Sequence, residues 1–243
     1  MIGQRIEFVG LQASITDVLV RVSRLDGSLT TTLVHPAQPW IEIAATPGAF
    51  SVAGTFLAHG IQRILGGFDH LLFVFGLLLL VSNGWMLVKT ITAFTLAHSI
   101  TLALAVLGAV RLPGPPVEAT IALSILLLAV EIARKNRGEI SFTLQWPWVV
   151  AFCFGLLHGF GFAGALAEIG LPQRDLPLAL FTFNVGVEIG QLMFVAAVLS
   201  LRALLLRFRR ARPTLLYARP VASYGLGTLA AFWFFESVSS FWS

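Results

Sequence analysis

The stretch 66-GGFDHLLFVFGLLLL-80 decides how the rest of the chain is read. Two glycines precede a phenylalanine, an aspartate and a histidine, and unbroken apolar sequence follows from Leu71 to Leu80. A charged side chain costs about 2.5–3.5 kcal/mol at the middle of a membrane-spanning helix. Asp69 and His70 at the head of such a run therefore need a reason. The histidine is a helix-end anchor, a packed core residue, or half of a site.

Composition narrows the setting. Hydrophobic residues make up 57% of the chain and charged residues only 12%, too little charge for a soluble domain, so an integral membrane protein is expected. The net charge of +4 comes from basic residues lying largely between apolar segments. That placement fits loop charges that set topology and argues against nucleic-acid binding. Cys153 is the single cysteine, which rules out an intrachain disulfide and a cysteine-based metal site. The first twenty residues lack a basic segment followed by an apolar one, so no cleavable signal peptide is expected.

About 20 apolar residues cross a ~30 Å hydrocarbon layer. On that scale the expected fold is an all-α polytopic membrane protein with six spans, at 66–82, 86–108, 117–134, 147–168, 177–203 and 219–238. A short apolar stretch at 52–63 suits an interfacial or re-entrant helix leading into the first span. Residues 1–50 read instead as a small extracytoplasmic β segment, distinct from the helical domain at 51–243. In 14-SITDVLVRV-22 the valines alternate with other side chains, 25-DG-26 signals a hairpin, 29-LTTTLV-34 returns, and 40-WIEIAA-45 adds a short strand.

Charge sets the orientation. Loops after spans one, three and five hold Lys89, then Arg134, Lys135 and Arg137, then the arginines from Arg202 to Arg219, whereas those after spans two and four hold Arg111 and Arg174. The positive-inside rule places both termini outside the cytoplasm, as for a bacterial inner-membrane protein. Trp85, Trp146 and Trp148 at one set of span ends, and Trp233 and Trp242 at the other, fit interfacial belts.

Polar residues within the spans are few and patterned. Asn184, Glu188 and Gln191 fall at i, i+4 and i+7, one face of a helix, and such a stripe has no business facing lipid. Interhelical hydrogen bonding is the plain explanation; a functional face is the sharper one, because of Glu188. His98 and His158 sit alone near the middle of two other spans. Convergence of Asp69, His70, His98, His158 and Glu188 would make a nitrogen and oxygen site suited to Zn, Ni, Co or Fe. Ser99 extends the polar face, but it lies about 100° around the helix from His98 and forms no dyad with it. Gly155 and Gly159 are a small-xxx-small pair, read as helix packing. Glu118 and Glu131 read as interfacial carboxylates.

Four motifs in order, 66-GGFDHLLFVFGLLLL-80, 93-AFTLAHSITL-102, 154-FGLLHGFGFA-163 and 183-FNVGVEIGQL-192, resemble the HupE/UreJ family of small membrane proteins, and specifically its second branch. The resemblance covers roughly residues 55–200 and leaves out the β segment. It implies a six- to seven-helix membrane protein with nickel or cobalt permease activity and metalloenzyme-maturation partners. The permease-type branch carries H-P-x-x-G-x-D-H; this chain keeps Gly67, Asp69 and His70 but has Gln62 and Arg63 where His-Pro is expected. It also carries F-H-G-x-x-H-G-x-E, of which only His158 and Gly159 remain here, so Glu188 is expected to supply the missing carboxylate from another helix.

Three functions follow. The first is a permease or uptake accessory for a divalent transition metal. The second is an intramembrane zinc hydrolase acting on a lipid or lipoprotein, with Glu188 as ligand or general base. The third is a non-catalytic assembly factor in which the polar cluster packs helices.

Overall fold

The computed structural model describes residues 5–13, 17–23, 29–42, 48–162, 175–208 and 212–241. The N-terminal part is β. Strands β1 (Arg5–Glu7), β2 (Val18–Ser23), β3 (Leu29–Val34) and β4 (Trp40–Glu42) form two antiparallel pairs, β2 with β3 and β1 with β4. The hairpin register sets Val18 opposite Val34 and Ser23 opposite Leu29. Its expected 25-DG-26 turn lies outside the described residues. β1 escaped the sequence pattern because three residues are too few to alternate visibly; pairing with β4 is what makes it a strand. Leu11, Val34 and Ile41 form a small separate core under these strands.

The remaining described elements are helices: α1 (Ala49–Gly66), α2 (Phe68–Leu80), α3 (Gly84–Val106), α4 (Gly114–Asn136), the short α5 (Phe142–Gln145), α6 (Pro147–His158), α7 (Leu176–Arg207) and α8 (Arg212–Ser239). A 3₁₀ turn, Gly159–Phe162, extends α6. Expected span residues 163–168 lie outside the described residues.

Among the described residues, α3, α4 and α7 are each long and apolar enough to cross a membrane. A fourth such unit exists if α1 and α2 count together, and those two are bent by 76° at Gly67. The sequence placed one span at 66–82 behind a short helix. The structure gives a longer first helix, of 18 residues, and a shorter second one, of 13. At ~1.5 Å per residue, α2 covers only ~20 Å. Gly67 makes the break, with φ −88° and ψ 95° interrupting the helical path. Leu96, Ile100, Leu123, Leu127, Met193 and Phe232 stand exposed on the outside of the bundle. So much exposed apolar surface is at home in a bilayer.

Three tight helix pairs enclose α2. α1 crosses α7, α3 crosses α6, and α4 lies along α8, while α2 touches α1, α3, α4, α7 and α8. It buries His70, Phe73, Val74, Gly76, Leu77 and Leu80, and from Leu71 to Leu80 none of its residues is fully exposed, in keeping with its unbroken apolar sequence. Between two of the pairs the approach depends on glycine. A Cβ on Gly60 would run into the carbonyl oxygen of Phe183, and one on Gly186 into that of Leu57. Across α3 and α6, Gly155 meets the Phe94 carbonyl, and Gly159 meets Thr101 and the His98 carbonyl. Backbones this close gain dispersion contacts where lipid supplies no hydrophobic drive. At the far end of α2, Lys135 from α4 donates to the Leu80 carbonyl at 2.5 Å and to Ser82 Oγ at 2.7 Å, a cation on a helix C-terminus.

Gly60→Ala should overpack the α1–α7 crossing and cost about 1–3 kcal/mol. Gly54→Ala, on the same helix but in open space, should be neutral or stabilising by about 0.4–1 kcal/mol. Thermal unfolding in detergent separates the two; equal midpoints would contradict the crossing.

Candidate metal centre

His70 stands in the first turn of α2, His98 in the middle of α3, and His158 on the last turn of α6. The sequence keeps them far apart and the helix crossings bring them together. The rings of His70 and His158 have centroids 5.0 Å apart, and those of His70 and His98 6.1 Å apart, both edge to face. All three are buried, with exposures of 3%, 0% and 0% for His70, His98 and His158. Phe73 and Phe94 close the cluster. Phe73 lies 4.8 Å and Phe94 5.1 Å from His158, and Phe94 stacks on His98 one helical turn away.

Asp69 Oδ1 is 3.0 Å from His70 Nδ1. Its carboxylate sits in the first turn of α2, where the helix dipole favours negative charge. His158, on the last turn of α6, is where that dipole favours positive charge. Gly67 leaves room for the Asp69–His70 pair, since a Cβ there would lie 3.3 Å from Asp69 Oδ1 and 3.6 Å from His70 Nδ1. A fourth helix joins through Ser124, whose Oγ is 2.8 Å from His158 Nε2 and 2.6 Å from the Ile121 carbonyl.

The polar stripe of α7 meets a matching stripe on α3. Thr92 donates to Glu188 Oε1 at 2.6 Å, and Thr95 donates to Gln191 Oε1 at 3.1 Å. Asn184 donates to the Leu180 carbonyl of its own helix, and Ser99 does the same to Thr95. Thr92 and Thr95 were passed over in the sequence, although with Ser99 they fall at i, i+3 and i+7, the kind of spacing that singled out α7. Ser124 left no such trace, because one serine in an apolar helix reads as back-bonded to its own turn.

Asp69 links the cluster to a cavity of about 190 Å³, shared with Glu118 of α4 and Trp233 and Glu236 of α8. Glu118 also borders a cavity of about 420 Å³ with Arg111 and Phe160. On the opposite side of the cluster the packing is apolar: Leu77, Leu80, Leu87, Ile91, Leu128 and Ile132 are all buried in one core.

Donor chemistry fits a transition metal, three imidazoles with a carboxylate behind one of them. Two imidazoles sharing a tetrahedral ion at ~2.0–2.1 Å have ring centroids ~5 Å apart, the spacing of His70 and His158. Among the described residues, however, no three His, Cys, Asp or Glu side chains form a ready coordination shell. The donors are engaged elsewhere: Asp69 with His70, Glu188 with Thr92, and His158 Nε2 with Ser124.

The family model described as HupE / UreJ protein matches residues 41–237, from within β4 into α8. No curated protein and no solved structure matches the chain.

If the Thr92–Glu188 bond carries the α3–α7 seam, a double-mutant cycle of Thr92→Val with Glu188→Leu should return about 0.6 kcal/mol of coupling, and not above ~1.7 kcal/mol. Unfolding in mixed micelles reads it. Additive effects would remove the bond from the account.

Proposed function

The chain belongs to the HupE/UreJ family, and we propose that it handles a divalent transition-metal ion, nickel or cobalt, as a permease or uptake accessory in a bacterial cytoplasmic membrane. The observation carrying this is the meeting of His70, His98 and His158, buried imidazoles from three helices, with Asp69 against His70. Six spans accommodate the helices: α1 with α2 as the first, α3, α4, α6 with its continuation, α7 and α8. The loop charges support an orientation with both termini, and the β segment, outside the cytoplasm. An ion arriving from that side meets the carboxylates of Asp69, Glu118 and Glu236 first.

Roles follow from chemistry. Asp69, with Oδ1 3.0 Å from His70 Nδ1, orients that ring, the usual service of a carboxylate behind a metal-binding histidine. His98 and His158 complete a set of nitrogens that selects nickel, cobalt or zinc over calcium or magnesium. Glu188 enters as a further ligand by leaving Thr92. Glu188→Gln keeps an acceptor for Thr92 and removes the charge, so it should lower ion affinity less than His158→Ala does, as read by equilibrium dialysis. An equal loss would make Glu188 a full ligand.

A second reading has one observation in its favour. The apolar core beyond the cluster offers an ion no polar path onward, which suits an intramembrane zinc hydrolase with an outward-facing site. Proteoliposomes decide between them. Wild-type protein should accumulate labelled Ni²⁺ or Co²⁺, and His158→Ala should fall to the level of empty liposomes. Uptake surviving in that variant would sink the site assignment. Bound zinc without uptake would favour the hydrolase.

A further inference from the structure

Ser124 is fully buried on α4, a helix that contributes no histidine to the cluster. Its Oγ has two neighbours, the Ile121 carbonyl at 2.6 Å and His158 Nε2 at 2.8 Å. A serine hydroxyl carries one hydrogen and accepts on its lone pairs. A carbonyl oxygen can only accept, and two oxygens 2.6 Å apart with no hydrogen between them repel. The serine hydrogen therefore belongs to Ile121. Toward His158, Oγ acts as acceptor, so the hydrogen in that bond comes from Nε2.

A neutral imidazole protonated on Nε2 has a bare lone pair on Nδ1. Among the described residues His158 Nδ1 is buried and has no hydrogen-bond partner. It lies in a ring flanked by His70, Phe73 and Phe94 at centroid distances of 5.0, 4.8 and 5.1 Å. Phenylalanine offers it no donor. A lone pair buried beside a second imidazole is a seat for an electrophile.

We propose that Ser124 is a positioning residue, which locks His158 as its Nε2–H tautomer and so makes Nδ1 the atom this histidine presents to a divalent transition-metal ion. The ion's identity rests on the proposed function; the lock does not. The neighbouring His70 has its Nδ1 3.0 Å from Asp69 Oδ1, while His158 is held at Nε2 by Ser124 and offers Nδ1. A serine oxygen takes this role where water or a backbone carbonyl often does.

The test uses the full chain, ¹⁵N-labelled at histidine and held in lipid nanodiscs, with the His158 signals assigned by their loss in His158→Gln. Metal-free wild type should show a protonated Nε2 and a bare Nδ1, and added Zn²⁺ should move the Nδ1 signal. Ser124→Ala, a small truncation the helix tolerates, should show both tautomers and a Zn²⁺ affinity lower by about 10–100-fold. Ser124→Thr, which keeps the hydroxyl, should restore the single tautomer. A protonated Nδ1 in wild type, or a tautomer indifferent to Ser124→Ala, overturns the lock. Zn²⁺ acting at Nε2 overturns the assignment of Nδ1. A Ser124-dependent tautomer that Zn²⁺ leaves untouched supports the lock and overturns the metal reading instead.

Discussion

Hydrocarbon supplies no hydrogen bonds, so the partners of polar side chains carried into this bundle have to come from the protein itself. That constraint organises the interior alongside the apolar packing. Asp69 Oδ1 lies 3.0 Å from His70 Nδ1 across one peptide bond, Ser124 serves His158 from a second helix, and Thr92 and Thr95 serve Glu188 and Gln191 from a third. Lys135 meets the same demand at the end of α2 by taking up a carbonyl that a helix terminus leaves open. The glycines of the α1–α7 and α3–α6 crossings make this possible. Short bonds between helices need backbones near enough for short side chains to bridge them.

The fold was legible wherever the signal was length and apolarity. α3, α4 and α7 were placed to within a few residues, because a spanning helix announces itself by a run no soluble segment has. The β hairpin was legible from alternation. The first span was misjudged in proportion, because one glycine in extended geometry redistributes residues between α1 and α2, and hydropathy does not register a bend. β1 was invisible for want of length.

The histidine cluster was legible in its members more than in its connections. Each histidine stood out as an ionisable residue inside an apolar run, and their meeting followed from shared depth. The distances between helices decide the rest, and a sequence does not carry them. Nothing in 183-FNVGVEIGQL-192 says that Glu188 faces Thr92 while the histidines face one another. Ser124 shows the limit most plainly, since its importance lies in where a neighbouring helix puts His158.

The shortness of α2 bears on how the protein is built. Helices with enough apolar length enter a bilayer independently and associate afterwards, and α3, α4 and α7 qualify. A 13-residue helix does not. It qualifies only together with α1, and among the described residues it sits in contact with five other helices. His70 travels with it. The cluster therefore belongs to the assembled bundle and to no single helix pair, since α3 and α6 bring His98 and His158 together and only α2 brings His70.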